Sequence, residues 1–161
     1  MSIADKPEPR LQGRGGESLR VRAMRFLARR EHSRAELRRK LASRAAEGED
    51  LDALLDDLAK RGWLSDIRFA EQIARAKARR FGPRKLAHYL KSCGVDDESI
   101  EAGIRNAGAD GTSSLESIWH SRFRAAPASE REKMRQVRFL QGRGFEIDAI
   151  FKFLKTLEER P

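Results

Sequence analysis

The hydrophobic residues of this chain recur at helical spacing from Glu17 onward, and they do not alternate with polar residues over the length of a strand. In the first stretch, four apolar residues follow the i, i+4, i+7, i+8 spacing that places side chains on one face of a helix. They are Leu19, Ala23, Phe26 and Leu27. The last stripe of this kind consists of Ile147, Ile150, Phe151 and Leu154. The pattern predicts nine helices and no sheet.

Capping and turn residues separate the predicted helices. A serine followed three residues later by a glutamate is a capping box, in which both side chains accept hydrogen bonds from free backbone amides. Three boxes predict helix starts: Ser33 with Glu36, Ser113 with Glu116, and Ser129 with Glu132. Further starts are predicted at Ser65, Gly82-Pro83 and Asp96, and helix ends at Gly62, Gly94 and Gly108.

The helices fall into three sets of three, at intervals of roughly 45 residues, which is the rhythm of a repeat protein. Arg25-Phe26-Leu27 recurs as Arg138-Phe139-Leu140. We therefore predict an all-α protein of three tandem three-helix repeats, covering residues 17–62, 63–108 and 109–161. Because stacked repeats contact mainly their neighbours, the molecule is expected to be elongated and curved. Residues 1–16 contain two prolines and three glycines and are predicted to form a flexible tail.

Charge narrows the class of partner that this helical protein is expected to bind. Lysine, arginine, aspartate and glutamate make up 37% of the chain, and the formal net charge is +9. A polyanion or an acidic protein surface is therefore the expected partner. The charges are also sorted along the chain, because the second helix of a repeat is basic and the third helix is acidic.

Six basic residues are predicted to form a contact face that continues across the first two repeats. On the second helix, Arg34 and Arg38 lie four residues apart on one exposed stripe. The candidate binding residues are Arg34, Arg38, Arg79, Arg80, Arg84 and Lys85. The alternative is a solvated surface on which the arginine stems cover apolar neighbours.

The sequence carries no motif that indicates catalysis or a cofactor. His32, His88 and His120 lack the spacing of a zinc site and are expected to cap helices or to lie on the surface. The sequence also lacks a phosphate-binding loop, a dinucleotide-binding fingerprint and a nucleophile elbow. We expect a protein that is not an enzyme and that binds neither a cofactor nor a metal.

The remaining special residues are predicted to belong to the core. Cys93 shares an apolar stripe with Leu86 and Leu90, so we expect a small buried hydrophobic residue rather than a reactive thiol. Four phenylalanines at core spacing are expected to be poor platforms for nucleobases, which need exposed rings. They are Phe26, Phe69, Phe139 and Phe151. Trp63 and Trp119 suit either a core or an interface.

The composition predicts a cytoplasmic protein that does not associate with membranes. No window approaches about 18 consecutive apolar residues, and the first residues lack the apolar segment of a secretory signal. The single cysteine excludes an intramolecular disulfide, which fits a reducing compartment.

Four stretches of the chain resemble the RecX family. They are Ala28-Arg29-Arg30-Glu31-His32-Ser33-Arg34-Ala35-Glu36-Leu37, Gly62-Trp63-Leu64-Ser65-Asp66-Ile67-Arg68-Phe69-Ala70, Gly82-Pro83-Arg84-Lys85-Leu86 and Arg138-Phe139-Leu140-Gln141-Gly142-Arg143-Gly144-Phe145. No single stretch is a catalytic signature, but their order and spacing together are specific. The similarity extends roughly from Leu19 to Leu157.

The resemblance implies a fold of three tandem three-helix repeats and a regulatory role without a cofactor. Members of the family bind filaments of RecA, suppress ATP hydrolysis and strand exchange, and are thought to lie in the helical groove of the filament. A RecA filament is therefore the expected partner, with additional contact to the DNA in it, and the protein is expected to be a monomer.

Two other functions fit the residues alone. A direct nucleic-acid binder would use the basic helices to neutralise phosphates without reading sequence. A helical-repeat scaffold would bind some other acidic protein. A sequence-specific repressor is disfavoured, because no recognition helix with base-reading asparagine or glutamine is evident.

Overall fold

The computed structural model describes residues 16–160, and within that range the chain forms nine helices and no strand. The first repeat contains α1 (Leu19–Arg29), α2 (Arg34–Ala42) and α3 (Leu51–Lys60). The second contains α4 (Asp66–Lys77), α5 (Pro83–Ser92) and α6 (Asp97–Asn106). The third contains α7 (Thr112–Arg122), α8 (Glu130–Gly142) and α9 (Ile147–Glu158). The predicted tail lies outside the described residues, apart from Gly16.

Each repeat buries its own hydrophobic core, so the prediction of all-α tandem three-helix repeats is confirmed. The fully buried side chains of the first core are Leu27, Leu37, Leu41, Leu55 and Leu58. Burial of one such leucine stabilises the fold by about 1.5–3 kcal/mol. Leu64 and Ala109, which the sequence placed at the start of the second and third repeats, pack in the cores of the first and second.

Side-chain caps start four of the described helices at the predicted residues. The Ser33, Ser65 and Ser129 hydroxyls and the Asp96 carboxylate accept hydrogen bonds from the free amides of α2, α4, α8 and α6. The box at Ser33 is half formed, because the Glu36 carboxylate bonds to Arg30 rather than to the backbone. The predicted helix ends at Gly62, Gly94 and Gly108 are confirmed.

The predicted capping box at Ser113 is wrong. Helix α7 begins at Thr112, and Gly111 is the residue before it, without a side-chain cap. The Ser114 hydroxyl instead donates to the Gly111 carbonyl oxygen at 3.0 Å. Burial of Leu115, Ile118 and Trp119 sets the helix in this position, so Ser113 lies inside the first turn.

The last helix also differs from the prediction. Ile150 and Leu154 are buried as expected, but Ile147 and Phe151 are 43% and 38% exposed. Phe153 takes their place in the core, because its ring packs edge-on against Trp119 with the centroids 5.8 Å apart. Trp119 is therefore a core residue, and its indole N–H donates to the side-chain amide oxygen of the buried Gln136 at 2.8 Å.

Neighbouring repeats are joined in the same way at both junctions. The turn between α1 and α2 packs on the end of α5, where the Ser33 hydroxyl donates to the Cys93 carbonyl oxygen at 2.8 Å. The turn between α4 and α5 packs on the end of α8, where the Gly82 amide donates to the Arg143 carbonyl oxygen at 2.6 Å. Cys93 is partly exposed at the first junction, although it packs against the second core as predicted.

Candidate functional site

The predicted residues of the first repeat, Arg34 and Arg38, extend from α2 toward the acidic helix α3. Arg34 forms an ion pair with Asp56 at 2.7 Å, and Arg38 forms one with Asp52 at 3.0 Å. The hydrogen bond between Arg38 and Asp52 lowers the pKa of the carboxyl and raises the pKa of the guanidinium. Two of the four cations of α2 are thus paired with carboxylates of α3 within the repeat.

Other arginines of the first repeat are paired as well. Arg20 and Arg61 share the carboxylate of Asp57, and Arg25 bonds to Glu17 at 2.6 Å. Because each of these guanidiniums faces a carboxylate, the first repeat offers an acidic partner less positive potential than its arginine content indicates.

The predicted residues of the second repeat lie around the turn between α4 and α5, where Arg79, Arg80 and Lys85 are exposed. The Arg80 guanidinium and the Lys85 ammonium lie 5.5 and 4.8 Å from the centroid of Phe81. Arg84 differs from them, because it pairs with Glu146 of the third repeat at 3.2 Å.

The fold adds Arg143, which the sequence analysis did not select, to this basic group. Its guanidinium donates to the Arg80 carbonyl oxygen at 3.2 Å, and Lys85 donates to the Gly142 carbonyl oxygen at 3.2 Å. A signal in the sequence was the position of Arg143 in the stretch from Arg138 to Phe145 that resembles the family. Its meeting with Arg80, 63 residues earlier, depends on how two repeats pack.

Gly144 allows this close approach. Its φ of +97° lies in the region that favours glycine, and a Cβ atom built there would lie 2.5 Å from the Cβ of Lys85. The Arg84 amide uses the space to donate to the Gly144 carbonyl oxygen at 3.0 Å. We call the cations around this contact, the exposed Arg79, Arg80 and Lys85 and the half-buried Arg143, the junction surface.

The junction between the first and second repeats also contains buried polar groups. Glu31 is 3% exposed and pairs with Arg68 at 3.0 Å, and Arg68 also donates to the Gly62 carbonyl oxygen at 2.7 Å. His32 is 2% exposed, so the expected capping or surface position is wrong for this histidine. Burial lowers its pKa, and its two ring nitrogens lie 3.1 Å from the Arg30 carbonyl oxygen and the Lys40 ammonium.

Two carboxyl groups beside this junction have shifted pKa values with different causes. The hydrogen bonds from Arg30 hold the pKa of Glu36 at about 2. Burial raises the pKa of Asp66, whose carboxylate accepts a hydrogen bond from the Arg34 amide at 2.7 Å. The bond between Arg34 and Asp66 ties the first repeat to the second, and the bonds between Arg30 and Glu36 fix the turn within the first repeat. We assign the network a structural role.

Comparison with known proteins decides the family. Three family models match the chain: the first three-helix domain of RecX over residues 20–58, the second over 65–104 and the third over 111–154. The regulatory protein RecX of Chromobacterium violaceum is 43% identical over 86% of this chain and 90% of its own length. That of Ralstonia nicotianae is 38% identical over 86% and 87%. The chain belongs to the RecX family.

Solved RecX structures share the fold. The crystal structure of RecX from Lactobacillus salivarius superposes with a TM-score of 0.74 over 88% of this chain and 96% of that chain, at 18% identity. A second crystal structure of regulatory protein RecX gives a TM-score of 0.63 over 86% and 71%, at 17% identity. The second and third RecX domains begin at Ser65 and Gly111, the residues that precede α4 and α7.

The described residues of this RecX family member hold neither a candidate metal site nor a helix that could span a membrane. Residues 16–160 contain no group of three or more histidine, cysteine, aspartate or glutamate side chains placed to hold a metal ion. In the same range, no helix has the length and the apolar character needed to cross a bilayer.

Proposed function

We propose that this chain binds RecA filaments assembled on DNA and inhibits ATP hydrolysis and strand exchange by RecA, thereby modulating recombination and DNA repair. The observation that supports the proposal is the match to all three RecX domains, together with curated relatives that are called regulatory proteins. The protein would act as a cytoplasmic monomer without a cofactor.

We propose the junction surface, with the neighbouring Arg84, as the main contact for the filament. Three of its cations are exposed and Arg143 is half-buried, and within the described part of the chain none of the four forms an ion pair with a carboxylate. Arg34 and Arg38 are the weaker candidates among the predicted residues, because Asp56 and Asp52 already neutralise them.

The proposal is tested by titrating the protein against the single-stranded-DNA-dependent ATPase of RecA. The wild type should inhibit hydrolysis, whereas Arg79→Glu/Arg80→Glu should need about tenfold more protein for half-inhibition, since reversed charge opposes an acidic contact surface. Arg39→Glu/Arg44→Glu is the matched control, because it makes the same change in net charge at two exposed residues of the first repeat.

The results of this titration separate the function from the surface. A wild type that leaves the ATPase unchanged at every ratio contradicts the function. Equal inhibition by the two double variants contradicts the assignment of the junction surface. Far-ultraviolet circular dichroism checks that the variants keep their helices.

Direct binding of nucleic acid is a second candidate function. It is favoured by one observation, the arrangement of arginines beside half-buried phenylalanines on the third repeat.

A further inference from the structure

The third repeat carries arginines whose charge no described carboxylate neutralises through an ion pair. They lie at the end of α7 and along α8, and they are Arg122, Arg124, Arg131, Arg135, Arg138 and Arg143. The ion pairs of this repeat within residues 16–160 use other cations, such as Lys133 and Arg160. The third repeat therefore differs from the first, in which Arg34 and Arg38 of α2 pair with carboxylates of α3.

Two aromatic rings lie among these arginines. Phe123 and Phe139 are half-buried, and they pack edge to face with centroids 5.3 Å apart and an interplanar angle of 89°. The Arg135 guanidinium lies 5.9 Å from the Phe123 centroid, and the Arg143 guanidinium lies 5.1 Å from the Phe139 centroid. Together with Arg122, three of these residues line a pocket of about 250 Å³.

A second pocket continues the basic surface along α8. It has a volume of about 440 Å³ and is lined by Ser129, Arg131, Glu132, Arg135 and Arg138. Arg135 lines both pockets. The carboxylate in this second pocket accepts a hydrogen bond from the Ala128 amide at 2.8 Å, so it caps the start of α8. The two pockets thus form one surface with four arginines and a single acid.

The junction surface extends this arrangement into the second repeat. Arg143 contacts the ring of Phe139 and also donates to the Arg80 carbonyl oxygen at 3.2 Å. Arg80 and Lys85 in turn lie against the ring of Phe81. Cations and aromatic rings therefore alternate from the end of α7 to the start of α5.

We propose that this arginine–phenylalanine stripe, Arg122, Phe123, Arg135, Arg138, Phe139 and Arg143, is a binding site for single-stranded nucleic acid. The guanidiniums would neutralise phosphates. Unpaired bases would stack on the guanidinium planes and pack against the exposed parts of the two rings. An acidic protein would explain the arginines, but it would not explain the half-exposed pair of rings. Duplex DNA fits less well, because its bases are already stacked. The inference deepens the second candidate function, because it assigns the ligand class and the site, and it is independent of the first, since binding here needs no RecA.

The prediction that Phe139 is a poor stacking platform is revised by this geometry. Its helical spacing places it beside the third core, but the ring is only partly covered and has a guanidinium against it. Because Phe139 lies at the edge of the core-facing side of α8, its ring packs against the third core and also contacts a guanidinium.

The test measures the binding of a fluorescein-labelled 20-nucleotide oligothymidine by fluorescence anisotropy, without RecA. Arg135→Glu/Arg138→Glu should raise the Kd at least about tenfold, and loss of two phosphate contacts should reduce the salt slope by about 1.4. Arg39→Glu/Arg44→Glu makes the same change in net charge and should alter the Kd by less than about twofold. Equal weakening by both double variants would overturn the proposed location.

Stacking is tested separately, with Phe139→Leu and with a duplex competitor. The leucine variant keeps an apolar side chain at the edge of the core, and it should weaken oligothymidine binding about threefold or more. The unlabelled duplex should compete less well than the single strand. If the duplex competes equally and Phe139→Leu binds like the wild type, base stacking is wrong.

One further outcome would assign the surface to a protein. If Arg135→Glu/Arg138→Glu binds oligothymidine normally but no longer inhibits the RecA ATPase, the stripe contacts protein and the proposal is overturned. A wild type that binds oligothymidine through the stripe but leaves RecA unaffected would contradict only the proposed function.

Discussion

At the scale of single residues, we expect His32, Glu36 and Asp66, which lie at or beside the contact between the first and second repeats, to make stability depend on pH. Burial lowers the pKa of His32 below its ordinary value of 6.5. When the pH falls through 6.5, the unfolded chain therefore takes up a proton that the folded chain resists, and stability decreases. Glu36, with a pKa of about 2, adds a loss below 4.5, whereas the raised pKa of Asp66 acts in the opposite direction above 3.8.

We predict that His32→Gln makes the melting temperature less dependent on pH between pH 7 and 5. The readout is the slope of Tm against pH, because the substitution of a buried residue also changes Tm itself. His88→Gln, at an exposed position on α5, is the control and should keep the wild-type slope. An unchanged slope in His32→Gln would show that His32 is not the group that senses acid.

At the scale of helices, local signals predicted four of the six starts that a side chain caps within residues 16–160 and missed Ser18 and Asp50, the caps of α1 and α3. Ser33, Ser65, Asp96 and Ser129 cap the helices that were predicted to follow them. Ser113 fits the same local pattern, but packing of the third core sets the start of α7 at Thr112. The pattern alone could not distinguish a capping serine from one in the first turn.

The two capping boxes predicted in the third repeat, at Ser113 and Ser129, therefore allow a matched test of which serine caps a helix. Ser129→Ala removes a hydroxyl that accepts a hydrogen bond from the Glu132 amide at 3.2 Å, and it should reduce the free energy of unfolding by about 1 kcal/mol. Ser113→Ala should change it by less than about 0.5 kcal/mol. Urea denaturation measures both. Equal losses would restore Ser113 as the cap of α7.

Tertiary packing also decided which aromatic residues and which cations form the candidate site. Helical periodicity identified the stripe of α9 but not its exact face, because the contact between Phe153 and Trp119 turns Phe151 toward solvent. In the same way, the charges of α2 were visible in the sequence, but their pairing with α3 was not. Six candidate residues were named from local charge alone, so Arg143 was missed.

At the scale of the whole molecule, the three repeats share a fold and differ in charge pairing. The first repeat pairs Arg34 and Arg38 with its own acidic helix, and the second and third repeats meet at the junction surface. Because Arg143 and Arg80 come from different repeats, the surface exists only when the tandem array is assembled. We propose that the second and third repeats make the functional contacts and that the first repeat mainly supports them.

The most direct test of the central claim is the binding of the wild-type protein to RecA filaments formed on immobilised single-stranded DNA. Biolayer interferometry can compare the filament-coated surface with a surface that carries the bare strand. The proposed function predicts saturable binding to the filament at protein concentrations where the bare strand binds less. No binding to the filament beyond that seen on the bare strand would contradict it.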